Sequence, residues 1–250
     1  MSYDLLVYIY VFIIGNIVGS FLNVCIYRIP RGESVVFPPS HCTKCGYKIK
    51  WYDNIPLISY FILLRGKCRK CKEKIPLRYP IVEIITGIIW MIVYAKFGLT
   101  VETLKIFMFA SILIVLSYID INEYLLPDRL TFFLVISGIG LSFIGENGIE
   151  SSFIGAAVYG FPFLVLYIFG EDVLKKDIMG FGDIKLGAGV GAYIGYTTFY
   201  NFYIFLTIAF VAGAIISVLL ILLKIRKREE LVPFGPYIAL SAFICLMILG

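Results

Sequence analysis

Charge is scarce in this chain. Asp, Glu, Lys and Arg make up only 16% of 250 residues, against 60% hydrophobic and 16% aromatic, which excludes an ordinary soluble domain. Histidine is nearly missing, with His41 alone. No run alternates polar and apolar residues with period two, as the strands of a membrane barrel would, so the spanning elements must be helices. Internal repeats and low-complexity tracts are absent as well. What is there in abundance is the long apolar run. Segments fit to cross a hydrocarbon core of ~30 Å lie at roughly 4–27, 79–97, 102–119, 130–145, 151–169, 186–199, 201–223 and 233–249. The expected fold is therefore an all-α polytopic membrane protein with about eight transmembrane helices.

The first segment reads as a span and not as a cleaved signal, because Met1-Ser2-Tyr3-Asp4 carries no basic region and the apolar stretch is long. Arg28 and Arg31 follow it at once, which by the positive-inside rule puts the N-terminus outside and residues 28–78 in the cytoplasm. The rest of the chain agrees with this orientation. Twelve Lys and Arg lie in 28–78, and Arg129, Lys175, Lys176, Lys185, Lys224, Arg226, Lys227 and Arg228 fall on the same side. Only Lys96 and Lys105 fall on the other. The net charge of +5 thus speaks of topology and anionic lipid, and no nucleic-acid partner is expected.

Within this apolar background two aspartates stand out, Asp120 in Leu116-Ser117-Tyr118-Ile119-Asp120 and Asp183 in Gly180-Phe181-Gly182-Asp183. Ionisable residues beside spans are rare, tend to be paired and mark working sites. Both fall on the cytoplasmic side, Asp120 at the inner end of the third span and Asp183 just before the sixth. Two carboxylates a few Å apart share a proton, so that one serves as base towards water and the other donates to a carbonyl oxygen, as in an aspartyl protease. Gly180 and Gly182 permit unusual backbone angles and close approach, and Pro127 ends the Asp120 turn before a helix starts near Asp128. The plainer alternative is that such aspartates cap helices; that reading is preferred for Asp128, with Thr131 three residues on. Glu171, Asp172 and Asp177 read as a solvated loop.

Residues 28–78 hold a second constellation, Cys42-Thr43-Lys44-Cys45-Gly46 and Cys68-Arg69-Lys70-Cys71. Cytosolic thiols stay reduced, and two Cys-x-x-Cys knuckles offer four thiolates in the tetrahedral set that zinc takes. With Cys42, Cys45, Cys68 and Cys71 all bound, the site would be structural and would fold the loop. A redox dithiol is the rival reading, though no βαβ pattern accompanies it. Cys25 and Cys245, inside spans, read as small core hydrophobes, and His41 as a neighbour of the knuckle. Glu83, near the inner end of the second span, is either solvated at the interface or a contact for a substrate amine. Gly15-x-x-x-Gly19 reads as a close helix contact, with Asn16 and Asn23 as hydrogen-bonding partners across helices.

With these strings in place the chain resembles, from end to end, the bifunctional type IV prepilin peptidases of the A24 peptidase family. The matching strings, in order, are Gly19-Ser20-Phe21-Leu22-Asn23-Val24, Pro38-Pro39-Ser40-His41-Cys42, Trp51-Tyr52-Asp53-Asn54-Ile55-Pro56, Arg65-Gly66-Lys67-Cys68 and Arg78-Tyr79-Pro80-Ile81-Val82-Glu83. They continue through Leu126-Pro127-Asp128, Gly180-Phe181-Gly182-Asp183-Ile184-Lys185 and Pro233-Phe234-Gly235-Pro236-Tyr237. The resemblance implies a membrane aspartic peptidase of the inner membrane that cuts the basic leader of pilin or pseudopilin precursors after a glycine, with Asp120 and Asp183 as the catalytic pair and Gly180, Gly182, Lys185, Pro127 and Asp128 in support. It also implies that the new N-terminal residue is methylated from S-adenosylmethionine, with Gly66 matching a position tied to methyl transfer and Glu83 a further candidate.

On this reading residues 1–27 form the first span, 28–78 a cytoplasmic zinc-binding loop held by the four cysteines, and 79–250 the peptidase domain. No glycine-rich strand-to-helix turn for the methyl donor is visible, so that half of the function rests on the resemblance. Two other readings compete. A transporter with a structural zinc ribbon would use Asp120, Asp183 and Glu83 as ion sites near the bilayer midplane. A presenilin-type protease would share Gly-x-Gly-Asp without a reason for the cysteines.

Overall fold

Apolar length and the positions of Gly and Pro decide where this chain is helical. The computed structural model describes residues 3–144, 148–176, 179–224 and 232–249. Asp177, Arg226, Lys227 and Arg228 lie outside the described residues. The α-helices are α1 Tyr3–Arg28, α2 Arg78–Phe97, α3 Val101–Glu123, α4 Asp128–Ser142, α5 Gly148–Ile168, α6 Phe181–Ile194, α7 Phe199–Leu222 and α8 Gly235–Leu249. Each of the eight apolar segments coincides with one of them, and no strand is present among the described residues, only two isolated bridges.

Five helical segments are long and apolar enough to cross a membrane: Leu5–Arg31, Arg78–Phe97, Val101–Glu123, Gly148–Leu174 and Phe199–Leu222. The helices α4, α6 and α8, of 15, 14 and 15 residues, rise only about 20 Å each at 1.5 Å per residue. The chain is an all-α membrane protein, with five such long helices and three shorter ones among the described residues.

It divides into two compact units, residues 1–115 and 116–250, with the boundary inside α3. In the first, α1 lies against α2 through small residues. A Cβ on Gly15 would stand 2.8 Å from the Cα of Gly87, and one on Gly19 2.8 Å from the Cα of Glu83. That is the backbone proximity expected of Gly15-x-x-x-Gly19, where removing side chains lets dispersion contacts replace the hydrophobic drive that lipid cannot supply. Asn23 donates from Nδ2 across to the carbonyl of Tyr79, 3.0 Å away. Asn16 donates instead within its own helix, to Phe12 O at 2.7 Å, so only one of the two asparagines bridges helices.

The second unit is built around α6. Its glycines alternate sides: a Cβ on Gly191 would lie 2.1 Å from the carbonyl oxygen of Gly155 in α5, and one on Gly189 2.6 Å from Leu134 Cδ2 in α4. At Gly191 no larger residue fits without moving α5, and at Gly189 the Leu134 side chain would have to give way. Hydrogen bonds tie the same helices, from Ser152 Oγ to Ala192 O at 2.5 Å and from Tyr193 Oη to Ser137 Oγ at 2.9 Å. This packing fixes the first turn of α6, and with it Asp183.

Candidate functional site

Asp120 lies in the last turn of α3 and Asp183 in the first turn of α6, and both are buried. Each carboxylate accepts a main-chain N–H. Asp120 Oδ2 receives Gly235 N–H at 2.8 Å, at the amino end of α8, where the helix dipole favours an anion. Asp183 Oδ2 receives Gly180 N–H at 3.2 Å, while Asp183 N donates back to Gly180 O at 3.0 Å. This is the acidic half of a capping box, completed by main chain because glycine has no side chain. Capping and a functional role thus coexist in one residue. Asp183 also sits inside α6, not ahead of it as the sequence suggests.

Burial, and then the nearby Asp120 carboxylate, push Asp183 up to about 7. A buried acid held up beside a second buried acid is what a carboxylate pair able to share a proton requires.

Leu126 holds the surroundings together. A Cβ on Gly182 would meet Leu126 Cβ at 2.8 Å, and one on Gly235 would meet Asp120 Oδ2 at 2.8 Å and Leu126 Cδ2 at 3.4 Å. Close approach, and not unusual dihedral angles, is what the glycines provide here: Gly180 has φ −77° and ψ 144°, open to any residue. Pro127 is the N-cap of α4, in extended conformation. Asp128 does not cap that helix through its side chain. Its carboxylate pairs with Lys185 Nζ at 2.5 Å, and the same ammonium lies 4.7 Å above the ring of Phe181. Lys185 and Asp128 therefore link the start of α4 to the start of α6. The Asp120 partner Gly235 could not be found from local sequence, since 115 residues separate them.

In the first unit the four cysteines converge. The Sγ atoms of Cys42, Cys45, Cys68 and Cys71 all lie within 4.8 Å of one another, and Cys42 and Cys71 are 3.8 Å apart. Four thiolates about 2.3 Å from a tetrahedral ion would be spaced close to that distance, so the donor set fits a metal. Both knuckles share one construction. The residue after the second cysteine takes a left-handed turn, Gly46 at φ +67° and Lys72 at φ +61°, and returns its N–H to Cys42 O and Cys68 O respectively. Bridges His41 to Lys48 and Lys67 to Lys74 close the two loops. His41 turns its Nδ1 towards Pro39 O at 3.0 Å and is not part of the cluster. Main-chain N–H groups, that of Cys71 foremost, pull the Cys68 thiol down to about 7. At Cys71 the N–H of Glu73 acts in the same direction, but desolvation and the neighbouring thiols prevail and push it up to about 12. A full set of thiolates is stable only around a cation.

One ion pair not singled out by sequence lies in the cysteine loop. Arg69, between the second pair of cysteines, grips buried Asp53 with Nε to Oδ2 at 2.8 Å and Nη2 to Oδ1 at 2.6 Å, the two-pronged geometry that makes Arg–carboxylate pairs strong. Gly66, at φ +68°, lies beside Tyr60, and Glu83 is buried with Oε2 accepting Leu57 N–H at 2.9 Å.

Residues 13–97 match the family model for the bacterial peptidase A24 N-terminal domain, and residues 107–218 that for the type IV leader peptidase family. Among curated proteins the chain is similar to the prepilin leader peptidase/N-methyltransferase of Pseudomonas putida, 31% identical over 94% of this chain and 88% of that one. The namesake of Neisseria gonorrhoeae is 35% identical over 93% and 87%. That of Myxococcus xanthus is 35% identical over 86% of this chain, which spans 63% of its length. No solved structure matches the chain. With one family model covering its first half, another its second, and relatives alike across nearly the whole length, this chain belongs to the type IV leader peptidase family.

Proposed function

We propose that the chain is a prepilin leader peptidase whose Asp120 and Asp183 cut the basic leader of pilin-like precursors after a glycine, and that it then methylates the new amino terminus from S-adenosylmethionine. The observation that carries the first half is the placement of two buried carboxylates at facing helix ends, Asp183 pushed up to about 7 by burial and then by Asp120; on this reading Asp183 serves as the acid and Asp120 as the base. Asp120, steadied by Gly235 N–H, takes a proton from water as the oxygen attacks the scissile carbonyl carbon. Asp183 donates its proton to the carbonyl oxygen. Collapse of the tetrahedral species then protonates the leaving nitrogen and breaks the C–N bond.

The site belongs at the cytoplasmic boundary on the charge asymmetry of the chain, with the N-terminus outside, in the inner membrane. A pilin helix could then be cut where it leaves the bilayer. Glu123, Asp128, Glu171, Asp172 and Asp177, the last outside the described residues, would draw the basic leader. The metal for the four cysteines is zinc, which takes such thiolate sets and, with no coordination position left open, shapes the loop without activating water. The methyl-transfer half rests on the names of the relatives. Mass analysis of the product amino terminus tests both halves: a cut after glycine, with a single added methyl group only when S-adenosylmethionine is present, is expected. An unprocessed precursor, or a cut elsewhere, defeats the reading.

A further inference from the structure

A cavity of about 190 Å³ lies in the first unit, lined among others by Ser20, Asn23, Tyr27, Tyr60, Tyr79 and Glu83. Glu83 is only 7% exposed. It accepts Leu57 N–H at 2.9 Å, and although Arg28, Lys44, Arg69 and Lys74 also line the cavity, no cation pairs with it among the described residues. A carboxylate shut away from water without a counter-ion is costly to keep, and a cationic ligand removes that cost. Beside it Asn23 is 1% exposed. Its Nδ2 serves Tyr79 O and Gly19 O, which fixes the amide orientation and leaves Oδ1 buried without a partner.

The residues that line the cavity thus hold a carboxylate and, on Asn23, an amide oxygen without a partner. A primary ammonium, with three donors, can serve both. Volume argues the same way, because about 190 Å³ is below the ~300–1,000 Å³ usual for drug-sized ligands and suits one terminal residue better than a nucleoside. Three tyrosine rings supply walls for its side chain and a π face for the charge.

We propose that this cavity receives the free amino terminus of the processed chain, with Glu83 holding the α-ammonium and Asn23 Oδ1 orienting it. The proposal rests on the methyl-transfer reading above. Glu83 takes one proton from the ammonium. The freed lone pair would then be open to a sulfonium donor bound outside the cavity, the N–C bond forming as the C–S bond breaks with its electron pair left on sulfur, and the product would be a secondary ammonium. Glu83 returns its proton to water.

Gly66 acts as a positioning residue. Gly66 N donates to Tyr60 O and Ile75 N to Gly66 O, both at 2.8 Å, and Tyr60 Oη donates to Ile75 O at 3.1 Å. A Cβ on Gly66 would meet Tyr60 Oη at 3.3 Å and would demand a left-handed backbone of a side chain. It therefore sets the Tyr60 wall.

The test is binding to the full-length protein without any methyl donor, using a fluorescent synthetic peptide of a mature pilin-like amino terminus in two forms, free and N-acetylated. Wild type should bind the free amine at least about tenfold more tightly, the scale of a hydrogen bond to a charged group. Glu83→Gln, checked for wild-type metal content and unfolding temperature, should bind both forms alike. Asn23→Ala should lose part of the preference. Equal binding of the two peptides by wild type, or a preference kept intact in Glu83→Gln, overturns the proposal, and the wild-type comparison decides even if the variant does not fold. Methyl incorporation is scored separately. An amine preference without methylation leaves the binding site standing and sinks the methyl-transfer reading.

Discussion

Asp183 and Gly235 show how much a single residue carries. With its acidity pushed to about 7, Asp183 favours the folded state most when protonated. That contribution is whole below its ordinary value near 4 and drains away as pH rises through about 7. Activity should follow the same titration: a pair sharing one proton loses its acid on the alkaline side, so the rate of leader cleavage should fall as pH passes about 7. A flat rate between about pH 6 and about pH 9 would remove the shared proton from the account. Gly235 makes a steric prediction. Because a Cβ there would lie 2.8 Å from Asp120 Oδ2, Gly235→Ala should displace the carboxylate and lower the cleavage rate constant by about 10²-fold, as small misplacements do, while precursor affinity stays near wild type.

Both aspartates were legible in the sequence because an acid beside an apolar run needs a reason. The clamp between Asp128 and Lys185 was not, since a helix-starting aspartate looks like a cap until a lysine 57 residues away is seen to reach it. Asp53 was hidden for the same reason, its partner Arg69 being brought to it by the folded loop.

At the scale of elements, period and punctuation were readable and lengths less so. All eight apolar runs became helices, but α6 begins ahead of its apolar run, at Phe181, because Gly182 and Asp183 are absorbed into its first turn. The glycine faces of α6 follow from contact and not from propensity. Gly191→Val would drive a side chain into Gly155 O, already 2.1 Å from a bare Cβ, and should lower the unfolding temperature and the yield of folded protein. An unchanged unfolding temperature would contradict the close α5–α6 packing.

The knuckles predict a metal dependence. Structural zinc contributes an apparent ~10–16 kcal/mol in zinc-finger peptides at neutral pH, so chelation, or Cys42→Ala, should open residues 28–78 to limited proteolysis. Equal protease resistance with and without metal would contradict a metal-built loop.

For the whole molecule, the cysteine cluster and the cavity beside Glu83 lie in residues 1–115, the two aspartates in 116–250. The orientation argument concerns the entire chain and yields a prediction of its own. If acidic loop residues draw a basic leader, raising salt from ~0.05 to ~0.5 M should weaken precursor binding by screening, with little effect on an uncharged substrate.

The central claim is the catalytic pair. Purified protein should cut a pilin-like precursor, and Asp120→Asn and Asp183→Asn, each shown to keep wild-type helicity and metal content, should lower the rate by about 10³-fold or more, since neither carboxylate can do the work of both. Cleavage near the wild-type rate in either variant would contradict the account.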